Sequence, residues 1–521
     1  MATTRFHVIF VIAMCLGAIC CSCGEGYSQK NHCSQKRLMF VAPPSYHHVV
    51  SVREIAVGIL QEFPGCYVMQ FAVPGKYRVV VEGIPGLEVV DLPRVNQDDQ
   101  SSMDPCQSCN SSTTLGDVRR MVFDCQYGPL EEIFLSELRP DFLVVDPFCE
   151  SALALAEKYG IDFAVVARWA GRWTQLGEHF WLPHPWSGGH LHEMHAMTKR
   201  LENILHYLFA GLPTIGANEA KINAARMQRN LPPRPDISES WKGHLILCLG
   251  MPGFHPPRSL PPNVKLIGFL TPPAEDLSLI LQSPGHRDLF SWMDNLPDSA
   301  ILIYMAFGSH IKVCQQKVNR LLSELLSVDN VFVILANRDV AKRGDLSDPR
   351  VRIESWVPQQ NVLNHHRIKL FLTHGGYGSI GDAIHAEVPT LFFPLGLDQW
   401  RNAYSVEDAK AGLVCSRGEP FKIRNQLLVL LRDFDQYKSA VRGLRILSET
   451  AGGKREAARQ IHCAINVGSA HLVSAEDTFS FAVRYNLDIL FMTVGLAALT
   501  TGTLYMLISS LCGQKSNLTL D

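Results

Sequence analysis

His47, His48 and Asp146 are the residues whose types and placement suit proton chemistry. Each follows an apolar run of strand character, Leu38 to Ala42 and Phe142 to Val145. In an open parallel sheet the carboxyl ends of strands are where ligands sit. An imidazole there takes a proton from an attacking hydroxyl, while a carboxylate behind it fixes the tautomer and steadies the imidazolium. Taken singly, either residue also reads as a polar group that merely ends a strand. A second constellation runs from Trp356 to Asn402. Trp356 with Gln359 offers a flat face and an amide, enough to stack a base and bond its edge. The strand Leu370 to Thr373 runs into His374-Gly375-Gly376 and a helical segment containing Ser379, a pattern that presents backbone N–H groups to a diphosphate. Beyond Pro389 to Pro394, Asp398 and Gln399 supply acceptors and donors for sugar hydroxyls. Phe307-Gly308-Ser309 ends another strand; Gly308 permits a tight turn and Ser309 offers a hydroxyl to phosphate.

Positioning these groups takes two α/β series. The 521-residue chain has room for both. Strand-like runs recur at Leu38 to Ala42, Tyr67 to Val73, Leu87 to Leu92, Phe142 to Asp146, Phe163 to Ala167 and His244 to Leu249, with helical stretches between several of them. This predicts an open, mostly parallel sheet covered on both faces. Residues 24–270 form that first domain and residues 271–285, rich in proline, the linker. Residues 286–450 repeat the alternation, and 451–487 are helical. Residues 1–23 read as a cleavable signal peptide. Residues 488–512 read as a transmembrane helix and 513–521 as a cytosolic tail, leaving the rest lumenal. Asn110 begins a sequon in a polar loop, a glycan site in that compartment. A net charge of −2 gives no reason to expect nucleic acid, and the 15 cysteines form no repeated metal-type pairs.

The stretch from Trp356 to Asn402 resembles the signature of the UDP-glycosyltransferase family, which includes the membrane-bound UDP-glucuronosyltransferases. The matching residues are Trp356, Gln359, His374-Gly375-Gly376, Ser379, Pro389, Pro394 and Asp398-Gln399. Tyr46-His47-His48 and Val145-Asp146-Pro147-Phe148 resemble the stretches that carry the family's catalytic base and its partner carboxylate, and align the base with His48 rather than His47. The resemblance implies the GT-B fold, two Rossmann-like domains facing across a cleft. It also implies a UDP-sugar as co-substrate, with no other cofactor and no metal. Trp356 and Gln359 would hold the uridine, Ser309, His374, Gly376 and Ser379 the diphosphate, Asp382 the ribose, and Asp398 and Gln399 the sugar. The implied reaction moves a hexosyl group, glucose or glucuronic acid, to a small lipophilic acceptor with inversion, His48 being the general base. The implied location is the endoplasmic reticulum membrane, as a single-pass type I protein; a homo-oligomer is compatible with all of this. The histidine-rich stretch with His184, His190, His192, His195 and His206 lacks the zinc-hydrolase spacing and reads as part of an acceptor pocket, with Trp169, Trp173, Phe180, Trp181 and Trp186 as apolar walls.

The match departs from the family at Gly378, where asparagine is usual, and at Asp382, where glutamate is usual. Each lost or lengthened hydrogen bond costs ~0.5–1.5 kcal/mol of donor affinity. The alternative these departures favour is a membrane-anchored protein that binds a UDP-sugar or a lipophile without turning it over.

Overall fold

In a computed structural model of the chain, the alternating apolar and helical runs become two parallel sheets, one of 7 strands and one of 6. The structure describes residues 35–92, 115–168, 190–234, 241–308, 313, 315–338, 340, 348–396, 398–415, 423–475 and 479–515. The signal-peptide reading, the Asn110 sequon, Ser309, His184, the aromatic walls between 169 and 186, and the end of the tail lie outside those residues.

The first sheet begins with β1 (Lys36–Val41), which leads into α1 (Tyr46–Glu62). β2 (Tyr67–Pro74) and β3 (Leu87–Leu92) follow, then α2 (Leu115–Leu135), β4 (Phe142–Val145), α3 (Glu150–Tyr159) and β5 (Asp162–Ala167). After α4 (Met197–His206) and α5 (Leu212–Met227) come β6 (Leu245–Cys248) and β7 (Val264–Leu266). The spatial order is β3-β2-β1-β4-β5-β6-β7, every pairing parallel. Alternation along β1 divides its side chains between two cores: Leu38 and Phe40 face one, Met39 and Val41 the other. That is the two-residue period of a strand buried on both faces.

The second sheet is built from β8 (Ile301–Ala306), β9 (Val331–Ala336), β10 (Val351–Glu354), β11 (Ile368–Thr373), β12 (Thr390–Phe392) and β13 (Gly412–Val414). It is preceded by α6 (Pro284–Asp294), and its crossovers include α7 (Gln315–Leu326), α8 (Gln359–Leu363), α9 (Tyr377–His385) and α10 (Gln399–Asp408). Strand order is β10-β9-β8-β11-β12-β13. Both sheets therefore reverse their winding once, between β1 and β4 in the first and between β8 and β11 in the second. Such switch points open a crevice at the carboxyl ends of the flanking strands.

Three helices close the second domain: α11 (Ile423–Arg432), α12 (Phe434–Thr450) and α13 (Gly453–Val467). The last crosses back to the first domain, where Ala457, Ala458, Ile461, Ala464 and Ile465 join the core beneath α1. The helices approach so closely at Gly58 that a β-carbon there would sit 2.5 Å from the Lys454 carbonyl oxygen. Phe63 stacks on His462 with ring centroids 4.0 Å apart, Tyr67 bonds the same ring at 2.7 Å, and Lys36 donates to the Ile465 carbonyl. The helix that carries His48 is thus pinned at its far end by the end of the second domain. Beyond it, α14 (Leu487–Lys515) contains a 24-residue span, Leu487–Ser510, that is apolar all round and unburied. At 1.5 Å per residue this is about 36 Å of helix, long enough to cross a hydrocarbon core.

Candidate active site

Both switch points carry the residues singled out above. In the first domain three neighbouring strands end together. β1 leads to His48 in the first turn of α1, Asp146 directly follows β4, and Arg168 directly follows β5. His48 Nδ1 lies 2.7 Å from Asp146 Oδ2, and Arg168 Nη1 donates to the same carboxylate oxygen at 3.0 Å. The Phe148 amide donates to the other Asp146 oxygen at 3.0 Å. Asp146 is fully buried, whereas the His48 side chain keeps 18% of its surface open. Burial opposes ionisation of Asp146, yet His48, Arg168 and the Phe148 amide pull its pKa down to about 2. Burial and the Arg168 guanidinium hold the His48 pKa below the ordinary histidine value, against the pull of Asp146. The ring is therefore neutral near pH 7, with Nδ1 turned to the carboxylate. Arg168 was not picked out from the sequence, although it follows β5 by the same strand-end rule that found the other two.

The second switch point holds His374, just after β11. Its ring is buried between two glycines: a β-carbon on Gly308 would lie 3.0 Å from Cε1, and one on Gly376 2.5 Å from Nε2. Gly308 has φ +73° and Gly375 φ +89°, conformations that favour glycine. Ser379 is buried in the first turn of α9. Its neighbouring amides belong to a helix N-terminus, which favours negative charge. Trp356 leaves 55% of its surface exposed, with His286 at 5.5 Å between ring centroids. The structure draws Gln359 inward: its amide nitrogen donates to Asp382 at 2.6 Å, and its oxygen accepts from Tyr304 at 3.1 Å. Gln360 bonds the other Asp382 oxygen. Burial raises the Asp382 pKa to about 7 in spite of these two donors. Gln399 likewise turns its side-chain oxygen to the Leu395 and Gly396 amides, shaping the loop before α10. Asp398 accepts from Asn402 at 2.8 Å, and Asn402 also donates to the Gly375 carbonyl. Burial raises the Asp398 pKa, opposed by the Asn402 hydrogen bond and by the Arg168 charge across the cleft.

His190 and His192 also reach the second domain. His190 sits between Asp408 at 2.8 Å and Glu407 at 3.2 Å, and these two carboxylates raise its pKa to about 10. One ligand atom each of His190, His192 and Asp408 lies within 4.8 Å of the others. That juxtaposition was not legible from histidine spacing alone, because its carboxylates lie some 218 residues away.

A family model described as UDP-glucoronosyl and UDP-glucosyl transferase matches residues 134–441. Among relatives, the 2-hydroxyacylsphingosine 1-beta-galactosyltransferase of Rattus norvegicus is 25% identical over 402 residues, covering 73% of this chain and 71% of that protein. A UDP-glucuronosyltransferase of Mus musculus is 27% identical over 275 residues, covering 51% of this chain and 50% of its own length. Among solved structures, the glycosyltransferase of kitacinnamycin superposes with a TM-score of 0.61 at 18% identity, covering 83% of this chain and 100% of its own. A UDP-glucosyltransferase from Polygonum tinctorium gives 0.58 at 17% identity, covering 83% and 99%. These superpositions identify the fold as GT-B. The chain belongs to the UDP-glucuronosyl and UDP-glucosyl transferase family, and it is a UDP-glycosyltransferase.

Proposed function

We propose that the protein transfers a hexosyl group, glucose or glucuronic acid, from its UDP-sugar to a small lipophilic acceptor, with inversion at the anomeric carbon and His48 as general base. The observation that carries this reading is the buried Asp146 carboxylate 2.7 Å from His48 Nδ1. With Nδ1 so engaged, Nε2 is the nitrogen left for the acceptor O–H. As that oxygen attacks the anomeric carbon, its proton passes to Nε2, and Asp146 steadies the imidazolium. The bond to the UDP oxygen breaks on the opposite face, so one displacement inverts the centre, by the same stereochemical logic as single-displacement glycosidases.

Trp356 stacks on the uracil, Gln359 and Asp382 serve the uridine, and His374, Gly376 and Ser379 hold the diphosphate together with the α9 N-terminus. Asp398 and Gln399 read the sugar. The leaving diphosphate is stabilised by these fixed donors, and no metal is needed for the step. The apolar helix α14 anchors the chain, which faces the lumen of the endoplasmic reticulum; the disulfide at Cys66 is compatible with such an oxidising compartment.

The test uses microsomes containing the full chain, incubated with several UDP-sugars and a mixed panel of phenols and sterols. Mass spectrometry should find a conjugate whose added mass names the hexose. A chain that binds UDP and makes no conjugate with any donor contradicts the catalytic reading and favours a binding protein that does not turn over.

A further inference from the structure

Two helix N-termini meet in the cleft, α1 from the first domain and α9 from the second. A β-carbon placed on Gly378, in the first turn of α9, would clash with Nδ1, Cγ and Cε1 of the His47 imidazole, in the first turn of α1. His47 therefore fills the volume that a side chain at position 378 would occupy. The His47 carbonyl accepts from Ser51 Oγ at 2.8 Å and from Arg168 Nη2 at 3.1 Å, which ties the start of α1 to the end of β5. The Tyr46 ring stands edge-on to the His47 ring at 5.3 Å. Both helix ends carry partial positive charge, so bringing them together is unfavourable unless an anion lies between. An imidazole N–H at that junction is a hydrogen-bond donor to such an anion.

We propose that His47 binds the donor diphosphate from the first domain, supplying the contact that Gly378 has no side chain to make. This rests on the reading of the α9 N-terminus as the diphosphate site. His47 and His48 then divide the work of one helix turn. His47 grips the leaving group while His48 takes the acceptor proton. The diphosphate is shared between domains, held by α9 amides on one side and by His47 on the other, so donor binding draws the cleft together.

The test measures UDP and uridine affinities by calorimetry on the detergent-solubilised full chain, for wild type, His47→Ala, Gly378→Ala and the double variant His47→Ala with Gly378→Asn. His47→Ala should weaken UDP about tenfold, the effect of one hydrogen bond to a charged group, and leave uridine unchanged. Gly378→Ala should weaken UDP similarly, because the new methyl displaces the ring. The double variant, with an amide in the vacated space, should return to within about threefold of wild type. His47→Ala binding UDP as wild type does overturns the proposal. So does a parallel loss of UDP and uridine, which would make His47 a packing residue. A wild-type chain that does not bind UDP removes the donor-site reading as well, which separates the two failures.

Discussion

The two walls of the cleft solve the same problem by different means. On the first domain the site is charged and buried: His48, Asp146 and Arg168 come from the ends of three adjacent strands and hold one another by short charge-assisted contacts. On the second domain the site is largely backbone and neutral side chains. His374 slots between Gly308 and Gly376, Gln399 braces a loop, and Asn402 ties that loop to Gly375. A proton-transfer centre needs a tuned pKa, which takes charges in low dielectric. A diphosphate cradle needs amides in fixed directions, which takes glycine and a helix end. The first wall should therefore fail through charge changes, and the second through added volume.

Replacing Asp146 with asparagine tests the charged wall most severely. Turnover should fall roughly 10³–10⁴-fold, because the amide no longer fixes the tautomer or stabilises the imidazolium, while UDP affinity stays near wild type. A comparable loss of UDP binding would show that the two walls are not separable. On the second wall, Gly376→Ala drives a methyl into the His374 ring and should weaken UDP about tenfold, with the pH profile of turnover unmoved.

Arg168→Gln sharpens the contrast by shifting rather than abolishing activity. The competent form of His48 is the neutral ring, and its pKa lies below the ordinary value partly because of Arg168. The acid limb of the wild-type rate profile should therefore fall below pH 6.5. Removing the guanidinium raises the His48 pKa, so the limb should move to higher pH. An unmoved limb would remove Arg168 from the tuning of the base.

The smallest effect concerns the contact between the walls. His190 has a folded pKa of about 10, above its unfolded value near 6.5. Its contribution is fully present below the unfolded value and is lost as pH rises through the folded one. His190→Ala should thus cost about 1 kcal/mol of stability at pH 6 and nearly nothing above pH 10. Equal loss at both values would mean that packing against Tyr404, not the ion pair, is what His190 contributes.

This contrast also explains what could be read from the chain alone. Apart from Gly308, the second wall lies within one stretch from Trp356 to Asn402, so most of its glycines, its histidine and its carboxylate are close in sequence and legible as a set. The strand runs were legible too, because two-sided burial makes them uniformly apolar. The first wall is spread over residues 48, 146 and 168, and only the two residues with a chemical pairing were picked out. An arginine after a strand has no signature of its own until the sheet order sets β5 beside β4. Nor does the amphipathic pattern of α13 say which sheet it covers; its alanines fit beneath α1 in the first domain because Gly58 lets the helices touch. The inward turn of Gln359 toward Asp382 was likewise hidden, since residue type gives a side chain's donors but not their direction.

The most direct measurement compares wild type with His48→Ala, determining turnover and UDP affinity on the same preparation, with the product's anomeric configuration read by nuclear magnetic resonance. The predicted result is an inverted glycoside from wild type, turnover reduced by ~10³ or more in the variant, and unchanged UDP affinity. A variant that still makes the conjugate at a comparable rate, or a product that retains the donor's configuration, would contradict the assignment of His48 as the base of a single displacement.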